Sequence, residues 1–479
     1  MPTNIRYMPG MRRQPALFIG LVLVAAEAAP SAFAQTPATE APKERPWTLG
    51  DALGAPDWLK ISGSVRPRYE TLTNTLTADR AGGDEMLSIQ SLLKVEAVAA
   101  DFVLGGELLD ARRLSGNAGG SVPAEIDALE PVQLYAAWRP KDFLIPGANL
   151  DLTVGRFTMN VGSRRLVARA NYRNIVQSFD GVRAVWANDD WFKLTAFYTH
   201  PTLRQPADTP SALDNEAALN RSHDNYRFSG ASFEASLPLS LTAELFHYDL
   251  DENDAPGNAT RNRDLATTGA RLFRAPTKGA WDIDLEYIKQ TGTIRATANA
   301  ADIADLDHDA TMMHVQIGYT LDAPWSPRLA FQYDQASGDK SPADLSNERF
   351  DSLFGDRSFE YGPTGLYGAI ARTNLIGPSI RIEVKPDRLS EAVVAVRQIR
   401  LDSATDSFAN SNVRDPSGAS SDDVGTQIEL RYRRWLVPDS LRLQVGGAAI
   451  LKGEFLDTAP NATRNGDTLF GYTDLTWTF

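Results

Sequence analysis

Arginine is the residue whose distribution in this chain points most directly to chemistry. Arg156, Arg164, Arg165, Arg169, Arg173 and Arg183 fall within 28 residues that hold no lysine and one acid, Asp180. That stretch is +5 in a chain of formal net charge −13. A guanidinium presents a rigid fork of donors that matches a carboxylate and stays charged when partly stripped of water. Rings of such cations make pores that prefer anions. Two plainer explanations fit the same cluster: an outer loop that binds lipopolysaccharide phosphates, or arginines paired with acids on neighbouring strands. Other chemistries are poorly served. The chain has no cysteine, which removes disulfides, thiolate metal sites and cysteine nucleophiles. Its five histidines, His200, His223, His247, His308 and His314, lie in neither G-x-S-x-G nor H-E-x-x-H, so no catalytic set is legible. The acidic runs Asp249–Asp254 and Asp302–Asp309 lack EF-hand spacing and read as solvated loops, so neither a metal nor a cofactor is expected.

The elements that must hold these arginines show strict period-2 alternation. From Leu59 onward, Leu59, Ile61, Val65 and Tyr69 share one face, and Lys60, Ser62, Ser64, Arg66, Arg68 and Glu70 share the other. Trp281, Ile283, Leu285 and Tyr287 oppose Asp282, Asp284 and Glu286 in the same way, and Met313, Val315 and Ile317 oppose His314 and Gln316. Such alternation predicts strands near 58–71, 85–100, 102–113, 128–139, 148–157, 179–187, 190–200, 225–236 and 239–249. It predicts others near 264–275, 280–291, 309–321, 327–337, 377–385, 391–401, 423–435, 440–452 and 467–479. Short connections rich in Pro and Asp alternate with long ones rich in Asp, Asn, Ser, Thr and Gly along the whole chain. A soluble sandwich has no reason to sort its loops by parity, whereas outer-membrane barrels have short periplasmic turns, long extracellular loops and an even strand number. The expected fold is therefore all-β: a transmembrane antiparallel β-barrel of about 18 strands in a bacterial outer membrane. A barrel that wide cannot fill its interior with strand side chains and encloses water. Aromatics near strand ends (Trp58, Tyr69, Trp138, Trp186, Trp191, Trp325, Trp435) suit interfacial girdles.

Two local features refine this picture. Arg156 shares parity with Leu150, Leu152 and Val154, the outward set; either a bulge shifts the phase or the strand has left the hydrocarbon zone, and the second is favoured. The longest loop, Gly338 to Ile376, holds Phe350, Leu353, Phe354, Phe359, Tyr361, Leu366 and Tyr367. It is too apolar to float in water and should pack on itself or into the barrel mouth, with a short helix over Leu366–Asn374.

The termini give the compartment. Arg12 and Arg13 precede the apolar run Ala16–Ala26, and Ala32-Phe33-Ala34 precedes Gln35: a signal peptide over 1–34. A periplasmic segment follows over 35–57, and the barrel occupies 58–479. Residues 1–34 hold Arg6, Arg12, Arg13 and Glu27, a net +2, so the mature chain carries −15, which argues against nucleic acid as a partner. The chain ends in Phe479 with Trp477 and Leu475 on the same face, the kind of terminal aromatic that barrel-assembly machinery reads.

The stretch GRFTMNVGSRRLVARANYRNIVQSFDGVRAVW, with its glycine–arginine opening, G-S-x-R-L-V-like core, asparagine–aromatic–arginine step and closing F-D-G-V-R, resembles the alginate export family of outer-membrane porins. A second block, YDQASGDKSPADLSNERFDSLFG (Tyr333 to Gly355), followed by Gly362, Pro363 and Gly365, is similar to the same family, and the resemblance runs from about Trp58 to Phe479. It implies an 18-stranded monomeric barrel, set in lipid and lipopolysaccharide, whose loop-constricted electropositive pore passively conducts an acidic, alginate-like polysaccharide. It also implies Arg156, Arg164, Arg165, Arg169, Arg173 and Arg183 as pore or substrate-binding cations, with Arg349 and Asp351 from the second block. The alternatives are a general porin for small acids or neutral sugars and an enzyme built into a barrel wall.

Overall fold

Alternating side chains have to be sorted to two sides of a sheet, and the computed structural model shows a sheet sorted in reverse of a soluble protein. The structure describes residues 47–78, 82–116, 125–255, 258–299, 301–368 and 370–479. The signal peptide expected over 1–34 lies outside the described residues, as does most of the segment over 35–57.

The first strands are β1 (Leu59–Thr73), β2 (Asp84–Ala99), β3 (Phe102–Gly116), β4 (Asp127–Trp138), β5 (Ala148–Phe157), β6 (Phe179–Asn188) and β7 (Phe192–Pro201). They continue with β8 (Tyr226–Leu237), β9 (Leu241–Glu252), β10 (Asp264–Arg274), β11 (Trp281–Arg295), β12 (Asp305–Thr320) and β13 (Arg328–Ala336). Two two-residue strands inside the long loop follow, β14 (Ser346–Asn347) and β15 (Leu375–Ile376). The wall is completed by β16 (Ser379–Asp387), β17 (Ser390–Arg400), β18 (Asp423–Val437), β19 (Leu441–Lys452) and β20 (Thr468–Thr478). The eighteen long strands are those read from alternation. The largest boundary differences are at Arg295, expected near 291, and Asp305, expected near 309.

Neighbouring long strands pair antiparallel around the wall, and β20 pairs with β1 (Tyr69↔Thr473, Leu72↔Phe470), so the sheet closes and leaves no edge. Leu104, Leu134, Val154, Leu245, Leu329 and Ile380 stand exposed on the outer face. Arg68, Glu70, Glu107, Asp282, Glu286 and Asp334 are buried on the inner one. A large exposed apolar belt around a charged interior makes sense only where the outside is hydrocarbon. The helices, α1 (Leu49–Ala52), α2 (Thr209–Leu213), α3 (Ser358–Tyr361) and α4 (Glu454–Thr458), are all short. At the turn end, Trp47 stacks on Trp477 with ring centroids 5.8 Å apart, and the Phe479 backbone exchanges hydrogen bonds with Gly63.

The expected helix over Leu366–Asn374 is not present among the described residues of that stretch. Gly365 (φ 28°) and Gly368 (φ 35°) both take positive φ there and turn the chain, and the helical piece of this loop lies upstream at α3, ended by Gly362 (φ 84°). The loop does fold into the mouth. Tyr361, Leu366, Tyr367 and Ile370 pack in one apolar cluster with wall residues Leu72, Met86, Ile450 and Phe470.

Candidate functional site

Two loops enter the barrel from the end carrying the long connections: 158–178, between β5 and β6, and 337–378, between β13 and β16. They are zipped together: Val167 bridges Phe354, Phe354 N–H donates to the Leu166 carbonyl (2.9 Å), Ala168 N–H to the Phe354 carbonyl (3.0 Å) and Asp356 N–H to the Arg164 carbonyl (3.1 Å). Gly355 permits this approach, because a Cβ there would stand 1.8 Å from the Arg165 carbonyl oxygen. Val161 bridges Val167, and Gly162 (φ 52°) and Arg164 (φ 67°) turn the hairpin tip between them.

The turn separates two adjacent arginines. Arg165 is buried and ion-paired to Asp284 (3.0 Å), Glu286 and Glu360 (2.6 Å). Arg164 lines the open lumen instead, its guanidinium over the Phe359 ring at 4.8 Å and without a hydrogen bond or ion pair among the described residues. Arg169 makes a two-pronged bond to Glu107 (2.7 and 2.9 Å), and Arg183 lies 3.5 Å from Asp151. Arg173 lines two cavities at the loop end and has no hydrogen-bond or ion-pair partner for its guanidinium among the described residues. Arg349 pairs with Asp406 (2.6 Å) and Asp351 with Arg263 (2.8 Å), which fastens the long loop to 401–422 and to the wall. Burial raises the Asp351 carboxyl pKa, but Arg263 outweighs it and holds the group below the usual carboxylate range.

Arg156 departs from the expected pore position. The β4–β5–β6 register runs through Leu134↔Arg156↔Asp180 without a bulge, and Val154, Val182 and Tyr198 beside it stand on the outer face. Arg156 therefore sits at the upper edge of the apolar belt, paired to Asp180 (2.7 Å) and Glu130 (2.6 Å) on a groove shared with His200 and Leu219. Its outward parity reflects a strand that has left the hydrocarbon zone.

The lumen between the loops and the turn end is a cavity of about 590 Å³. Arg66, Arg164, Arg381, Arg431, Arg433 and Arg442 line it, with Glu383, Glu391, Glu429, Asp356 and Asp474 as the facing acids. Arg381 is held by Glu383 (2.6 Å), and Arg433 by Glu391 (2.9 Å). Arg66 donates to the carbonyls of Asn171 (2.6 Å) and Arg173 (2.8 Å), which props up the first inward loop. Arg431 and Arg442, like Arg164, have no hydrogen bond or ion pair among the described residues; Arg442 lies over the Trp435 ring at 5.5 Å. An unpaired guanidinium in a partly dry cavity keeps its donors and its field available to an anionic group. Most of these residues escape a search for local charge clusters, since they come from β1, β16, β18 and β19. The available signal is parity: Arg66 and Arg68, and Arg431 and Arg433, repeat at i, i+2 on the polar faces of their strands.

His314, Asp334 and Glu360 are the one group of described residues close enough to share a cation. Their carboxylates are already engaged: His314 Nδ1 is 2.6 Å from Asp334, Arg397 pairs with Asp334 (2.9 Å), and Arg165 and Arg372 pair with Glu360. These arginines supply the positive charge a metal would bring, and the group works as a strut between loop and wall.

The sequence profile of the alginate export family matches residues 57–470. No curated protein matches by sequence. Among solved structures, Pseudomonas aeruginosa OpdL superposes with a TM-score of 0.56 at 11% identity, covering 88% of this chain and 98% of that one. OccK8 (OprE) of the same organism gives 0.55 at 12%, over 88% and 98%. OccK2 (OpdF), crystallised in complex with glucuronate, gives 0.53 at 13%, over 88% and 96%. At these identities the likeness speaks for the fold.

Proposed function

The chain belongs to the alginate export family, and from that premise we propose that this outer-membrane channel passively admits a carboxylate-bearing saccharide through its arginine-lined lumen. The family match and the barrel fold support a channel. The observation that carries the cargo class is the set Arg164, Arg431 and Arg442: three guanidiniums on one 590 Å³ cavity that share it with Glu429, Asp474 and Asp356 but make no hydrogen bond or ion pair among the described residues. Two unit charges 4 Å apart attract by about 4 kcal/mol at an effective dielectric near 20, before the cost of removing water. Three weak, unsaturated sites in series attract an anion without trapping it, which conduction requires. Arg165, ringed by three acids, offers a passing anion almost nothing. Co-crystallisation of OccK2 with glucuronate supports a uronate as the repeating unit such a lumen would handle. On this reading the barrel works as a monomer, meets lipid and lipopolysaccharide along its belt, and presents Phe479 to assembly machinery.

The test is block of single-channel current in planar bilayers. Oligouronate should reduce the current at concentrations where a neutral oligosaccharide of equal length does not. Equal block by both sugars would leave size as the only filter and refute the carboxylate reading.

A further inference from the structure

The two inward loops form a partition one backbone thick, and neighbouring residues on it face opposite ways. Asn171, Tyr172, Asp356, Ser358 and Phe359 line the lumen cavity. Arg173 and Arg357 line two adjoining cavities on the other side, of about 320 and 190 Å³. Both arginines border both of those cavities, so they mark the place where the two meet.

Neither guanidinium has a hydrogen-bond or ion-pair partner among the described residues, and the Arg357 Nε is shielded from water without one. Burial, then the cations Arg173 and Arg372, push Arg357 down to about 9, so it is still charged at neutral pH. Glu125 and Asp356 attract this pair across the cleft and one Asp127 oxygen has no hydrogen-bond partner, but no acid pairs directly with either guanidinium among the described residues. Glu125 accepts from Arg68 (3.2 Å) and from Asn174 N–H (2.8 Å), Asp127 from Asn220 (2.9 Å), and Asp356 from Ser358 N–H (2.8 Å). A third arginine, Arg204, lines the smaller cavity with a buried Nε that is also unpartnered. Two like charges held together in a half-buried cleft, with their donors unspent, form a cradle whose missing component is an anion.

We propose that Arg173 and Arg357 form a separate carboxylate-binding subsite on the loop side of the partition, where one uronate carboxylate docks before its chain reaches the lumen arginines. This rests on the carboxylate reading of the lumen and deepens it: the channel then holds two anion sites in series, and the outer one is reached only from the loop side. Arg164 on the lower face and the Arg173–Arg357 pair on the upper face would hold successive charged units of one chain.

The experiment is side-specific block of the intact channel in a planar bilayer, with glucuronate as probe. Wild type is compared with R173Q/R357Q, R173K/R357K and R431Q/R442Q. Barrel assembly is checked for each by heat-modifiable migration on gels. In R173Q/R357Q, block from the loop side should weaken about tenfold, while block from the turn side and the sign of the reversal potential stay as in wild type. R173K/R357K should recover part of the loop-side block, because lysine restores the charge without the fork. Loop-side block that is absent in wild type, unchanged in R173Q/R357Q, or weakened equally from both sides would overturn the subsite. Loss of anion preference in R431Q/R442Q together with unchanged loop-side block in R173Q/R357Q would retain the lumen reading and reject this one alone. A wild-type channel without anion preference would reject both.

Discussion

The two halves of this barrel use the same residue for opposite ends. Toward the loop end, Arg165, Arg372 and Arg397 are each matched by carboxylates, and their pairs hold the inward loops to the wall. Toward the turn end, Arg431 and Arg442 line the lumen cavity with no hydrogen bond or ion pair among the described residues, and their Nε atoms are shielded from water. The difference is direct pairing. Asp284, Glu286, Asp334 and Glu360 converge on the first group in direct ion pairs, whereas around the second Glu383 and Glu391 pair with Arg381 and Arg433, and Glu429 and Asp474 share the cavity without an ion pair to Arg431 or Arg442. Positive charge alone does not identify a filter; charge left unmatched does.

The sharpest way to break this contrast is to unmatch the struts. Replacing Glu360 by Gln leaves Arg165 and Arg372 buried without their shared carboxylate, and stranding a buried charge costs about 3–5 kcal/mol. E360Q should lower the thermal unfolding midpoint of the refolded barrel and raise open-channel noise as the loop loosens. An unchanged midpoint would show that the strut is idle. A smaller effect is expected of R169A, which removes the ion-pair partner of buried Glu107 and leaves it only the bond from Gln133: about 1–3 kcal/mol in chemical denaturation.

Acid should act on the same struts without any mutation. Burial favours the neutral Glu360, but Arg165 and then Arg372 outweigh it and hold the carboxyl well below its ordinary range. A depressed carboxyl contributes stability that is fully present above its unfolded value, about 4.3, and is lost as pH falls through the folded value. Loop-dependent noise should therefore be flat from pH 7 to 5 and rise only below about 4. A rise already at pH 6 would contradict this assignment. The smallest effect belongs to R156Q. Its side chain lies on the outer wall, so ion preference should not move; a shifted reversal potential would place it in the conduction path after all.

Much of the fold was legible because a strand has only one periodicity. Leu59 to Tyr69 and Trp281 to Tyr287 announce a two-faced wall, and loop parity turns eighteen such segments into a barrel. The outward parity of Arg156 was likewise readable, although its family-implied pore role pulled the other way. Less of the site could be read. The cluster Arg156–Arg183 is dense in sequence, yet Arg165 and Arg169 are spent on acids from β11, α3 and β3, partners that no local window contains. Arg431 and Arg442 looked ordinary because their significance is the lack of an ion-pair partner, a property of the closed ring. Arg357 was hidden in a loop whose glycines, Gly362, Gly365 and Gly368, also defeated the helix expected over Leu366–Asn374.

The central claim is that unpaired lumen arginines set the ion preference of the pore. It is tested most directly by the reversal potential of R164Q/R431Q/R442Q against wild type in a potassium chloride gradient. Wild type should sit on the anion side, and the triple variant should move several-fold in permeability ratio toward neutrality while keeping its unfolding midpoint. A triple variant with the wild-type reversal potential would contradict the account.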